Sequence, residues 1–198
     1  MQRVRSRVVL IDWQKCVCLA ALLCSALFLV ACAEMPVAVS ERLNLKLTPD
    51  SFGASISIQQ HLKVEREGRT DDLDAALEID GERMELVGLA FGQRVLSVHF
   101  DGKVIQTWRH FMLPQQVRAE DVLEDIQLTL WPIEVIARQL PAGWRIVESG
   151  RERVLYHDDV MIAKIYYGEE KRWSGTVILD NLHYKYRLTI QTANEPNN

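Results

Sequence analysis

From residue 33 onward the chain has no cysteine; the four present, Cys16, Cys18, Cys24 and Cys32, all lie near the N-terminus. A domain made from the remainder can form no disulfide, so its core alone must hold the fold. The same absence excludes a thiolate zinc site and a catalytic thiol in that domain. Basic charge is also scarce. The 198 residues carry 23 Lys+Arg against 27 Asp+Glu, a net charge of −4, which argues against nucleic acid as a partner. A membrane-spanning run is missing too: the apolar stretch Val17–Val30 has 14 residues, where a bilayer core needs about 20. There is no Gly-x-Ser-x-Gly elbow, no phosphate loop and no His-Glu-x-x-His. Catalysis has no motif to rest on, and no enzyme activity, metal or cofactor is expected.

What the N-terminus does have is the layout of an exported chain. Arg3, Arg5, Arg7 and Lys15 precede the apolar run, and small residues follow it. Its end, Leu29-Val30-Ala31-Cys32, resembles the bacterial lipobox. That resemblance implies a diacylglycerol on the Cys32 thiol, cleavage before Cys32 and an N-acyl group on the freed amine. Ala33 in place of Asp implies sorting to the outer membrane. The expected layout is a signal peptide over 1–31, a lipidated tether over 32–42, a domain over 43–192 and a loose tail over 193–198. Without its first 31 residues the chain keeps 167 of them, and its 23 basic and 27 acidic residues become 19 and 26, a net −7. That length is one domain's worth.

Beyond residue 43 short alternating runs sit between turn signals. Ile56, Ile58, Gln60, Leu62 and Val64 share one strand face, and Leu73, Ala75, Leu77 and Ile79 another. Turns are expected at Gly68, at Asp80-Gly81 as a two-residue hairpin, at Gly92 and at Gly102. That spacing predicts consecutive antiparallel strands rather than βαβ units. The period then changes. Val122, Leu123, Ile126 and Leu130 recur at helical spacing with Glu120, Asp121, Glu124 and Asp125 between them, so a helix is predicted over 118–130, its acids solvated. Pro132 breaks it and opens a second helix to Leu140. Strands resume from Trp144, and the last is expected to put Leu182, Tyr184, Tyr186, Leu188 and Ile190 on one face. Nine or ten such strands in one sheet must curl. The predicted fold is α+β: a single strongly curved antiparallel sheet, a half-barrel, whose concave face is covered by the two helices.

Several of these stretches together resemble a known family. The lipobox, the meander, Leu130-Trp131-Pro132, the Gly92-Gln93-Arg94 turn and Leu140-Pro141-Ala142-Gly143-Trp144 are similar to those of an uncharacterised, domain-of-unknown-function family of bacterial outer-membrane lipoproteins. That family is itself similar to the lipoprotein receptor and carrier of the Lol pathway, and its members often occur with aryl-polyene or other lipid-like biosynthesis genes. The resemblance implies a place on the periplasmic face of the outer membrane.

Two functions follow as expectations. In the first, the lipid-anchored protein binds or hands on a hydrophobic chain: a lipid, an acyl or polyene group, or another lipoprotein's anchor. Trp108, Phe111, Leu123, Ile126, Leu130, Trp131, Tyr184 and Tyr186 then line a cavity under the helices, where apolar burial with few directed bonds does the binding. In the second, the protein is a structural or assembly lipoprotein with a filled core and an exposed apolar patch. Its expected partners are the membrane, that ligand, and the lipoprotein-processing and sorting machinery; it is expected to be a monomer.

Overall fold

The computed structural model describes residues 42–193. The signal peptide, the lipidation at Cys32 and the tether to residue 41 lie outside the described residues, as does the tail from residue 194. Ten strands form one antiparallel sheet. The first five are β1 (Ile56–Arg66), β2 (Arg69–Ile79), β3 (Met84–Ala90), β4 (Gln93–Phe100) and β5 (Ile105–Arg109). The other five are β6 (Trp144–Ser149), β7 (Glu152–His157), β8 (Val160–Tyr167), β9 (Thr176–Asn181) and β10 (Tyr186–Thr192). Between the two sets come α1 (Ala119–Leu130) and α2 (Ile133–Gln139).

The order β5-β4-β3-β2-β1-β10-β9-β8-β7-β6 puts β1 at the centre, paired with both β2 and β10. The chain walks outward to β5, crosses through the helices, and walks back from β6. The ends β5 and β6 do not pair, so the sheet stays open. α1 meets β5 and α2 meets β6, so the helices bridge the two unpaired ends.

The inward face follows from register. Ile58, Leu77, Leu86 and Val98 stand in one cross-strand row, and Leu188, Leu179, Ile165 and Arg153 in another. Leu77, Val98, Leu179 and Ile165 are almost fully buried there, as are Leu123, Leu128, Leu130 and Ile136 of the helices.

Three turns differ from expectation. Asp80-Gly81 is not a two-residue hairpin: the loop runs from 80 to 83, because Asp80 Oδ1 accepts both the Glu82 and Arg83 N–H groups, at 2.8 and 2.9 Å. The last strand starts at Tyr186. Leu182 and Tyr184 belong to the preceding turn, where Asn181 Oδ1 accepts the Tyr184 N–H at 2.8 Å. Pro132 caps α2 from outside, with ψ 138°, instead of occupying its first turn.

Candidate functional site

Before β1 the chain runs as a strap without regular secondary structure, residues 42–48, with Asn44 at φ 50°, into a 3-10 turn at Pro49–Phe52. The strap alternates: Leu45 and Leu47 are buried, Asn44, Lys46 and Thr48 exposed. Polar side chains of α1 fasten it. The Gln127 amide pairs the Leu47 backbone on both sides, accepting its N–H at 3.1 Å and donating to its carbonyl at 2.9 Å. Glu124 accepts the Asn44 N–H at 2.7 Å. Trp131, at the C-terminal end of α1, donates from Nε1 to Ser51 Oγ at 2.9 Å and stacks with Phe52, centroids 5.1 Å apart. Each bond satisfies a backbone or side-chain polar group that burial would otherwise leave costly.

Arg42 closes one end. Its guanidinium lies 3.1 Å from Asp125 and 3.4 Å from Asp121, with its centre 4.5 Å above the Tyr184 ring. Tyr186 donates its hydroxyl to Asp125 at 2.6 Å, so β10 joins the same cluster. Asp121, Glu124 and Asp125 of α1 are therefore not solvated as their helix position suggests, whereas Glu120 keeps an exposed side chain. Glu124 is 5 % exposed. Arg42, assigned by sequence to the tether, is docked on the domain.

This cluster sets a pH dependence. Burial pushes the Glu124 carboxyl up to about 7, against the opposing pull of Arg42 and the Asn44 N–H. Burial also raises Asp125, against Arg42 and the Tyr186 hydroxyl. A carboxyl raised on folding binds its proton more tightly in the folded state. Its stabilisation is complete below the unfolded value near ~4 and is lost as pH rises through the folded value. Within that window each pH unit costs up to about 1.4 kcal/mol per carboxyl. Thermal unfolding should show Tm falling as pH rises toward about 7. Glu124→Gln should flatten that fall; an unchanged slope would place its origin elsewhere.

A second polar cluster holds the other end of α1. Pro132 has no N–H, so the Leu128 carbonyl lacks its helical donor. Arg153 of β7, fully buried, supplies one: Nη1 donates to Leu128 O at 2.6 Å and to Trp131 O at 3.0 Å. Its other nitrogens grip Glu148 Oε2 at 2.8 and 2.6 Å, and Arg172 reaches Glu148 Oε1 at 3.3 Å. Burial works against the Glu148 charge, but the two arginines outweigh it and hold that carboxyl below its ordinary value. Tyr167 donates to Thr129 O at 2.7 Å, and burial pushes its hydroxyl up to about 12. A cation at the C-terminal carbonyls also suits the helix dipole.

The eight residues read from sequence as a ligand lining do not come together. Leu123, Leu130 and Trp131 are at most 4 % exposed and fill the core. Ile126, Tyr184 and Tyr186 are half-buried, the two tyrosines at the Arg42 end. Trp108, 41 % exposed, stands on β5 opposite Ser97, one residue along from the Thr107–Val98 pair, so the pleat turns it to the face away from Val98; Phe111, 90 % exposed, lies beyond the strand. Two of the clefts among the described residues bear on that expectation. One, of about 410 Å³, is lined by Glu65, Asp180, Lys185, Tyr186 and Arg187 among others. The other, of about 220 Å³, lies between Glu148, Arg151, Tyr167 and Arg172. Charged side chains stand at the wall of each. No group of three His, Cys, Asp or Glu is placed to hold a metal ion among the described residues. No helix among them is long and apolar enough to cross a membrane.

Sequence reasoning missed Arg42, Glu124, Gln127 and Arg153. The alternation of Leu43, Leu45 and Leu47, and the carbonyl orphaned by Pro132, were the available signals.

Residues 57–194 match the family described as protein of unknown function (DUF3261). No curated protein matches. Among solved structures the chain is similar to a domain from Vibrio parahaemolyticus described as outer-membrane lipoprotein-sorting. That likeness has a TM-score of 0.43 and 7 % identity, over 70 % of this chain and 83 % of that one. It is also similar to a DUF1329 family protein from Desulfovibrio piger ATCC 29098, with a TM-score of 0.33 and 9 % identity, over 77 % of this chain and 90 % of that one.

Proposed function

We propose a function for a chain that belongs to the DUF3261 family of proteins of unknown function: it is an outer-membrane lipoprotein, anchored through an acylated Cys32, that takes a hydrophobic chain between its sheet and its helical cover. The chain is a lipid acyl or polyene group or a lipoprotein anchor. One observation carries the reading. The helices over this open sheet are fastened by polar groups at buried positions, Glu124, Gln127 and Arg153, as well as by apolar packing. Hydrogen bonds and ion pairs can be exchanged for bonds to water at a small net cost. Buried ion pairs also add little stability over apolar side chains. A cover held this way is releasable, and the apolar rows beneath it are what an acyl chain would meet.

A second reading, assembly of an envelope complex, is favoured by the outward-facing Trp108 and Phe111. Titration of the purified protein with a fluorescent fatty acid separates the two. The carrier reading expects saturable uptake at micromolar probe. It expects Leu130→Glu, which puts a charge into the core, to abolish uptake, a result that counts only where circular dichroism stays native. Lys185→Glu, in an exposed turn, should bind as wild type. No uptake by wild type removes the carrier reading and leaves assembly in its place.

A further inference from the structure

The β3–β4 turn is built in a way that its own fold does not call for. Phe91 and Gly92 are its two central residues, with φ 52° and 74°. Such a turn takes Asn, Asp or Gly at its first centre, since a bulky residue is strained in the left-handed region. Here a phenylalanine occupies it, and its side chain is 96 % exposed, so it adds nothing to the core. Strain kept at an exposed aromatic marks a functional position.

Its neighbours share the character. The His110 N–H donates to Val95 O at 2.9 Å, which brings the chain after β5 beside the start of β4. Phe111 and Met112 stand there 90 % and 56 % exposed. The Trp108, His110 and Phe111 rings lie side by side at tilted angles, with centroids 6.1 and 4.3 Å apart, and the Arg94 guanidinium sits 4.4 Å over the Trp108 ring. Arg109 donates to the Leu113 and Pro114 carbonyls and shapes the loop.

Charge at this tip runs opposite to the rest of the chain. Residues 90–95 and 108–117 contain Arg94 and Arg109 and no acid, in a chain of net charge −4. The closest acids in the sheet register, Asp72 and Asp74 of β2, are engaged by His61 at 3.3 and 3.1 Å.

We infer that this tip, centred on Phe91, Trp108, Phe111, Met112 and Arg94, docks on the surface of an anionic lipid bilayer. Two convex turns carrying single exposed aromatics are shaped to enter the soft headgroup–acyl boundary, where aromatic rings are favoured. The arginines beside them complement anionic headgroups. This surface is separate from the cover over the sheet, so it stands or falls independently of the proposed chain binding.

Hydrogen exchange of the full-length chain in vesicles tests it. Vesicles of phosphatidylcholine alone are compared with vesicles that also contain phosphatidylglycerol; the N-terminal apolar segment is present in both arms. In the anionic vesicles, peptides covering 89–94 and 108–117 should exchange several-fold more slowly. The turn between β9 and β10 should not change. Phe91→Ser with Phe111→Ser should abolish the protection, with the amides of β1 and β10 still protected as a sign of folding. Arg94→Gln should weaken binding about five-fold at low salt. Equal exchange with and without anionic lipid overturns the inference. Protection that rises with protein concentration and needs no vesicles overturns it in favour of self-association.

Discussion

Replacing Arg153 with alanine is expected to cost about 3–5 kcal/mol of folding stability, the range for breaking a buried ion pair from one side. A domain of ordinary stability has about 5–15 kcal/mol in total, so the variant should sit near the edge of folding. The reason is the number of groups that one side chain serves. Arg153 is 0 % exposed and donates to Leu128 O, to Trp131 O and twice to Glu148. Alanine leaves a cavity and at least one carbonyl that no backbone donor can reach, because residue 132 is proline. Glu148 keeps only Arg172, at 3.3 Å. Arg153→Lys retains the charge but lacks the planar fork that reaches acceptors on two sides, so it should fall between wild type and alanine. Urea denaturation of the three proteins orders them. A midpoint for Arg153→Ala equal to that of wild type would show that water or a shifted α1 serves those carbonyls instead.

Where the chain obeys one period per element, its fold is legible. Leu73, Ala75, Leu77 and Ile79 alternate, and all but Leu73 are buried on β2. The change to helical spacing at Val122, Leu123, Ile126 and Leu130 marks α1. Alternation misleads at the start of β10, because Leu182 and Tyr184 continue the pattern through a turn whose geometry the Asn181 side chain sets. The polar core was not legible for a different reason. Arg153 follows Arg151 and Glu152 at the start of a strand, where a charged side chain is normally read as facing water. Its inward place depends on register with Ile165 and Glu148, which are far from one another in sequence. Glu124 likewise resembles any acid near a helix start until a second segment, 80 residues away, lies against it. Outward Trp108 and inward Trp131 have the same hydrophobicity, so sequence alone does not separate them; the pleat places Trp108 opposite Ser97 on the face away from Val98, and Trp131 is buried at the end of α1 against Phe52.

Trp131→Ala is expected to cost about 3–5 kcal/mol and to release the strap before it unfolds the sheet. Trp131 is 0 % exposed and meets three parts of the fold at once. Its ring stacks on Phe52, its Nε1–H donates to Ser51 Oγ, and its carbonyl accepts from Arg153. Only the first two are side-chain contacts, and both bind the segment before β1. Truncation therefore removes the anchor of the strap's C-terminal end, while the backbone contact with β7 survives. For a domain of this size the loss corresponds to a fall in Tm on the order of 10 °C. Trp131→Phe keeps a ring against Phe52 and loses the Nε1–H that is shared between Ser51 Oγ at 2.9 Å and Thr48 O at 3.4 Å, about 1 kcal/mol; Ser51 Oγ stays satisfied by donating to Thr48 O at 2.6 Å. Hydrogen exchange locates the damage. In Trp131→Ala the amides of residues 44–53 should lose protection well before those of β1 and β10. Simultaneous loss in both regions would make the strap and sheet one cooperative unit. If a hydrophobic chain reaches the sheet by displacing the cover, the same variant should also take up a fluorescent fatty acid faster than wild type, since the strap no longer pins α1. Equal uptake rates in a variant whose strap is demonstrably loose would move the access route away from the strap, toward the Arg153 end of the helix.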